Sequence, residues 1–457
     1  MTERLIVVSN RIPTDAEPSG GLVVALHDAL SEEGGLWIGA HPDPVETPDE
    51  DLVDLPGAPY EKKAFRLSEA VVQNYYLGYA NSVLWPLCHR RSDLIRYRRA
   101  YAEDYLAVNA RVARQIARLA GPDDLIWVQD YHFLPLARML REEGVSARIG
   151  LFLHIPFPVL ADTSVLPERE ALAGWFAAYD LVGLQTRADV ARCLEFFRAE
   201  PEGEALFDGK TKYRDRVFSI RSFPIGIDVE SFAEAAEKEG GGLLVNLGPR
   251  EDLIIGVDRL DYSKGLPHRF RAFGIFLDQQ EAGDRRASFL QIAPPTREDV
   301  EAYQEIRDEL ERLSGWVNGR HAELDWTPIR YIHRTLPRDR LAVLYRTARV
   351  GLVTPLIDGM NLVAKEYVAA QNPENPGVLV LSRMAGAAED MTAALLVNPY
   401  DLEDMAVAIN TALTMPLEER KRRHEELLAT VKRTDITAWR RNYLHALRHV
   451  QSTLLAY

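Results

Sequence analysis

The chain has 457 residues, 47% of them apolar and 27% charged, and carries a formal net charge of −14. That length exceeds what one hydrophobic core sustains, so two domains are expected, and an acidic balance without a basic stripe excludes nucleic acid as a partner. Cys88 and Cys193 stand too far apart for a disulfide framework or a metal-ligand spacing.

The two cysteines are expected as buried thiols in a reducing compartment. Met1-Thr2-Glu3-Arg4 runs directly into a strand, and no apolar run approaches the roughly 18 residues of a membrane helix. A cytoplasmic protein with no membrane partner is the expectation.

In chain order, Leu5-Ile6-Val7-Val8-Ser9-Asn10-Arg11 is a short buried strand ending in polar residues. Pro18-Ser19-Gly20-Gly21-Leu22 opens a helix, and glycine at a helix start lets backbone approach a ligand closely. Residues 43–59 are acidic and proline-rich and read as a surface excursion. Their Asp49-Glu50-Asp51 has the D-x-D form some sugar transferases use for metal, but in a loop it reads as a solvated acidic patch. Tyr76 and Trp85 lie in an aromatic-rich stretch that fits either core packing or stacking on a sugar ring.

Leu125-Ile126-Trp127-Val128-Gln129-Asp130-Tyr131-His132 and Arg148-Ile149-Gly150-Leu151-Phe152-Leu153-His154 are two more strands with polar ends, the second stopped by Pro156 and Pro158. Leu181-Val182-Gly183-Leu184 is another. Strands alternating with helices predict a parallel sheet with helices on both faces. Composition shifts over 233–248, and a second α/β set follows, with strands at 253–259, 289–293, 330–333, 350–355 and 377–381. The predicted domains are therefore 1–235 and 236–439, each presenting strand ends to a shared cleft, with an amphipathic C-terminal helix, 440–457, lying back on the first.

Two stretches carry the chemistry. Asp258-Arg259-Leu260-Asp261-Tyr262-Ser263-Lys264-Gly265 places two cations five residues apart at a strand end, and both can reach one diphosphate; the neighbouring Asp258 and Asp261 also permit a surface ion-pair loop. Ile357-Asp358-Gly359-Met360-Asn361-Leu362-Val363-Ala364-Lys365-Glu366 is a turn into a helix start, whose free N–H groups and positive dipole end suit a diphosphate. Glu366, one to two turns in, can accept from two sugar hydroxyls. His154 fits either a structural role or a sugar contact, and Arg11 and Arg297 are further cations beside strand ends. No metal-ligand cluster has convincing spacing, so no metal and no cofactor are expected.

Together with Val8-Ser9-Asn10-Arg11, Ser19-Gly20-Gly21-Leu22, Asn81-Ser82-Val83-Leu84-Trp85-Pro86, Asp130-Tyr131-His132, His154-Ile155-Pro156-Phe157-Pro158 and Pro224-Ile225-Gly226-Ile227, these runs make the whole chain resemble the trehalose-6-phosphate synthases. Those are retaining glycosyltransferases of the GT-B fold, α/β proteins with two Rossmann-like parallel-sheet domains facing a central cleft. The resemblance implies a nucleotide-sugar donor, usually UDP-glucose, held by Gly20, Gly21, His154, Arg259, Lys264, Leu336, Asp358, Gly359, Met360, Asn361, Leu362, Val363, Ala364, Lys365 and Glu366. It implies a sugar-phosphate acceptor, glucose 6-phosphate, against Arg11, Tyr76, Trp85, Asp130 and Arg297. Arg259, Lys264, His154 and Asp130 would form the catalytic set in a front-face reaction, in which the leaving diphosphate takes the acceptor's proton.

The family's usual Gly-Leu-Trp-x-Gly-Trp reads Gly35-Leu36-Trp37-Ile38-Gly39-Ala40 here, which removes an aromatic wall from the acceptor side. Glycerol phosphate or a cyclitol phosphate are therefore alternative acceptors, and a catalytically silent sugar-phosphate sensor is the alternative of another class. A dinucleotide dehydrogenase is set aside, because no G-x-G-x-x-G follows the first strand. Base identity and homo-oligomerisation are left open by the sequence.

Overall fold

A computed structural model of the chain describes residues 3–14, 21–56, 59–238, 248, 251–281, 286–296, 301–450 and 453–454. The chain divides into two compact units, Met1–Pro224 with Trp439–Tyr457, and Ile225–Ala438. The boundary drawn at 235 from composition thus lies at Pro224. The reason is the helix Val229–Glu237: Phe232 stacks on Tyr345 at 6.0 Å, and the Arg338 guanidinium lies 5.0 Å from the Phe232 ring, so the helix belongs to the second core.

The first unit contains β1 (Leu5–Arg11), β2 (Leu36–Ala40), β3 (Val53–Leu55), β4 (Glu61–Phe65) and β5 (Leu125–Gln129). It continues with β6 (Arg148–Phe152), β7 (Leu181–Leu184), β8 (Gly203–Ala205), β9 (Lys210–Tyr213) and β10 (Arg216–Ser222). Their order across the sheet is β3-β4-β2-β1-β5-β6-β7-β10-β9-β8. All pairs from β4 to β10 are parallel, as alternating strands and helices predict. The margins are antiparallel: β3 on β4, β9 on β10, and β8 on β9. The surface excursion read over 43–59 therefore includes a strand, β3.

The returning helix, expected over 440–457, spans Ile436–His449, and its residues from Trp439 onward belong to the first unit; Thr453–Leu454 is instead a short strand that pairs antiparallel with the start of β10. Tyr443 stacks on Trp127 of β5 with ring centroids 4.9 Å apart. Gly150 of β6 and Gly183 of β7 leave the room: a Cβ would stand 2.4 Å from the Tyr443 hydroxyl at the first and 2.6 Å from its ring at the second.

The second unit contains β11 (Glu251–Val257), β12 (Arg286–Ile292), β13 (Ile329–Ile332), β14 (Val350–Val353), β15 (Val378–Ser382) and β16 (Leu395–Val397). Their order is β13-β12-β11-β14-β15-β16, parallel throughout. Both sheets are of the Rossmann-like, doubly wound kind. Chain order reverses between β11 and β14 in the second sheet and between β1 and β5 in the first. At such a switch point the loops leaving the two strands diverge and open a crevice at their carboxyl ends. No helix among the described residues is long and apolar enough to cross a membrane.

Candidate active site

In the second unit the loops after β11 and β14 meet at the switch point. Lys264 Nζ donates to Asp358 Oδ2 at 2.5 Å, and Asn361 Nδ2 donates to the same oxygen at 3.0 Å and lies 3.4 Å from Asp258 Oδ1. The loops are also sewn through backbone: Leu356 N–H donates to Ser263 O at 2.8 Å. Gly265 turns the first loop into helix Leu266–Asp278 at φ +66°, and a Cβ there would lie 2.6 Å from Thr354 O. Glycine is required on both counts.

Beneath the loops lies a cation that sequence reasoning missed. Arg269 is fully buried and donates to Asp258 Oδ2 (2.9 Å), Gln291 Oε1 (2.9 Å) and Thr354 Oγ1 (3.1 Å). A buried guanidinium needs such a set of acceptors, and here they tie the ends of β11, β12 and β14 together. Burial pushes the Asp258 carboxyl up, against the opposing pull of Arg269 and Lys264. Arg259, on the same loop, is exposed.

Helix Leu362–Ala370 starts at Asn361, whose φ is +78° and whose Oδ1 accepts from Ala364 N–H at 3.3 Å. The N–H groups of Leu362 and Val363 have no acceptor within the helix, as at any helix start. Gly359 and Met360 form the turn before it, and Ala387 N–H donates to Met360 O at 2.8 Å. The Lys365 side chain turns away: buried, it donates to Ile225 O at 2.7 Å, and burial lowers its ammonium to about 8. Burial raises the Glu366 carboxyl to about 7, with Arg338 pulling the other way. Leu336, half-buried, sits between β13 and helix Arg338–Thr347.

In the first unit the ends of β1, β5 and β6 carry the predicted acceptor residues. Arg11 is exposed, donates to Tyr76 Oη at 3.4 Å, and lies 5.5 Å from that ring. Tyr76 stacks on His132 at 5.8 Å. Asp130 adopts φ +70°, and its Oδ1 accepts from His154 N–H at 3.1 Å. His154 Nε2 pairs with Gln129 Oε1 at 3.0 Å; an amide oxygen only accepts, so Nε2 carries the proton and Nδ1 is an acceptor. Burial lowers the imidazole to about 3, so it is neutral at pH 7.

Tyr76 lies on Val72–Leu84, a thirteen-residue π-helix, and Trp85 follows it directly. The wide turn is matched by side chains reaching five residues back, Asn81 Nδ2 to Tyr76 O at 2.8 Å and Ser82 Oγ to Leu77 O at 2.7 Å. Asn81 also accepts from Tyr131 Oη at 2.9 Å, which fixes the turn after β5. Trp85 is 5% exposed, with its ring 4.1 Å from that of His89, so it packs as core. Ala40 ends β2 in register with Arg11. Gly20 and Arg297 lie outside the described residues, while Gly21 opens helix Gly21–Glu33.

Asp49 and Asp51 are paired with Arg66 (3.9 Å) and Arg118 (2.7 Å), so these carboxylates act as partners of neighbouring arginines. Cys88 and Cys193 are buried free thiols.

A model described as glycosyltransferase family 20 matches residues 3–449. The chain belongs to glycosyltransferase family 20. Its two Rossmann-like sheets are the pair that defines the GT-B fold. Among family 20 relatives, the trehalose-6-phosphate synthase of Sodalis glossinidius is 43% identical over 98% of this chain and 97% of its own length. An α,α-trehalose-phosphate synthase (UDP-forming) from Burkholderia xenovorans, solved in complex with glucose-6-phosphate, is 45% identical with a TM-score of 0.90, covering 97% of this chain and 100% of that one. A structure from E. coli bound with UDP-2-fluoro glucose is 41% identical with a TM-score of 0.93, covering 99% and 100%.

Proposed function

We propose that this family 20 chain is a trehalose-6-phosphate synthase, a retaining glucosyltransferase that moves glucose from UDP-glucose to glucose 6-phosphate. The observation that carries the reading is its kinship, along the whole chain, with proteins of that name. The local geometry supports it. Lys264 and Asp358, joined at the second sheet's switch point, offer a cation for a diphosphate beside a carboxylate for a sugar hydroxyl. Arg259 adds a second cation, the N–H groups of Leu362 and Val363 add donors, and Glu366 takes the ribose hydroxyls.

Glucose 6-phosphate is assigned to Arg11, Tyr76 and Asp130, with Arg297 as a further phosphate partner and Trp85 supporting them from the core. His154, neutral and with Nδ1 as acceptor, suits a hydroxyl of the donor glucose. In the reaction, the acceptor's anomeric hydroxyl attacks donor C1 on the side of the departing UDP. The bond from C1 to the β-phosphate oxygen breaks, the new C1–O bond forms, and the released phosphate oxygen takes the proton. Arg259 and Lys264 neutralise the charge that develops there, the kind of contact whose loss costs about 2.7–4 kcal/mol. We assign the protein to the cytoplasm on its substrate class and its two buried thiols.

The test is incubation with UDP-glucose and a panel of phosphorylated acceptors, following UDP release and identifying the product. Trehalose 6-phosphate is expected. Release only with glycerol or cyclitol phosphate would transfer the assignment to that acceptor, with Ala40 beside Arg11 as the structural reason. Tight binding of both ligands without release would leave a sensor.

A further inference from the structure

A second cationic site lies at the other end of the second unit's sheet. A cavity of about 430 Å³ is lined by Asp252, Arg346, Arg349, Gln371 and Arg420, among others. Asp252 is the second residue of β11, Arg349 immediately precedes β14, and Gly377, also in the lining, immediately precedes β15. These are the amino ends of the strands, whereas the loops bearing Lys264 and Asp358 leave the carboxyl ends.

In a chain of net charge −14, three guanidiniums share this one cavity with the single carboxylate Asp252. Glu237 offsets Arg346 from outside the lining, at 3.5 Å. Carbonyl and amide oxygens fix the arginines in place: Arg346 Nη1 donates to Ala370 O at 3.2 Å, Arg349 Nη2 to Met415 O at 3.1 Å, and Arg420 Nη1 to the side-chain Asn375 Oδ1 at 2.9 Å and to Pro376 O. A guanidinium has five N–H donors on three nitrogens, and the contacts of Arg420 fall on Nη1. Arg420 is 7% exposed and its Nε has no hydrogen-bond partner. Burial, and then the like charge of Arg349, lower the Arg420 pKa from its ordinary range, so the grouping carries repulsion that an anion would relieve.

We propose that this cavity binds a phosphorylated small molecule, whose phosphoryl group is taken by Arg346, Arg349 and Arg420. The volume falls in the range of small-ligand sites and exceeds what a bare phosphate fills, so the ligand is a phosphate ester with an organic part. Forked guanidiniums are the side chains that match phosphate oxygens. Helix Leu362–Ala370 has its start among the donor candidates and its last carbonyl on Arg346, so one rigid element touches both sites.

The test is calorimetric titration of the full chain with mannose 6-phosphate and with inorganic phosphate. Mannose 6-phosphate is expected to bind about tenfold or more weakly to Arg346→Gln, the loss of one charge-assisted contact, with an unchanged far-UV circular dichroism spectrum. Arg349→Gln serves as the second variant, and Arg11→Ala, which removes a phosphate partner from the acceptor residues where a hexose phosphate also fits, should leave this binding in place. Tighter binding of the ester than of phosphate supports the ester, and equal binding makes the occupant inorganic phosphate at the same arginines. Crystals soaked in tungstate, a heavy tetrahedral anion, should show it against Arg346, Arg349 and Arg420. Wild-type affinity in both Gln variants, or tungstate bound only elsewhere, overturns the proposal.

Discussion

Arg259 and Lys264 stand on one loop but differ in burial, and their substitutions should separate accordingly. Arg259 is exposed, so Arg259→Ala should leave thermal stability within about 0.5 kcal/mol while kcat/KM falls about 100- to 1000-fold. Lys264 is 9% exposed and paired to Asp358, so Lys264→Ala should lose activity and also about 3 kcal/mol of stability, because a half-buried carboxylate loses its cation and keeps the amide of Asn361. Parallel urea titrations and initial rates distinguish the two.

Glu366 makes a pH prediction. Its folded pKa is about 7 against an ordinary 4.5, so between those values the folded state holds more protons than the unfolded one. Its contribution to stability therefore falls as pH rises from 4.5 to 7. Glu366→Gln should remove that slope from the pH-stability curve. Ribose hydroxyls favour the ionised carboxylate, so UDP binding should release a proton near pH 7 in the wild type and not in the variant, measurable by calorimetry in buffers of different ionisation enthalpy.

Among elements, the two loops at the second switch point depend on a turn that one residue permits. Gly265→Ala would place a Cβ 2.6 Å from Thr354 O at φ +66°, so it should lower stability by about 1–3 kcal/mol in urea unfolding and raise KM for the donor by displacing Lys264. The central strands and the helix start at Leu362 were legible because apolar runs and a turn signal mark them locally. Strands β3, β4 and β8 to β10 were not. Glu61-Lys62-Lys63-Ala64-Phe65 is largely charged and reads as a loop until β2 lies beside it. The π-helix escaped too, since its width is set by Asn81 and Ser82 reaching back five residues, which periodicity does not encode.

Across the whole molecule, the chain's last helix completes the first unit's core. Trp439, Tyr443 and Leu447 are at most 2% exposed. Tyr443→Ala should cost about 3–5 kcal/mol, and a chain ending at 438 should expose Trp127, seen as a red-shifted tryptophan emission and a lower melting temperature. Sequence placed this helix from its amphipathic pattern. Its seat between Gly150 and Gly183 required the strands to be in register first.

Strand-forming runs, the loops that follow them and the motif residues on those loops are local properties, so the amino-acid order alone established two α/β units, a diphosphate-suited turn and the family resemblance. Burial is not local. In Leu266-Pro267-His268-Arg269-Phe270-Arg271, nothing in the string distinguishes the two arginines, yet Arg269 is buried under the site and Arg271 reaches Glu309 at the surface. The same holds for Lys365, which the motif groups with the donor candidates and the packed helix turns onto Ile225 O. Which side chains face a site, and what charge they carry there, follows from the neighbours that distant segments bring up, because desolvation and pairing depend on position in space.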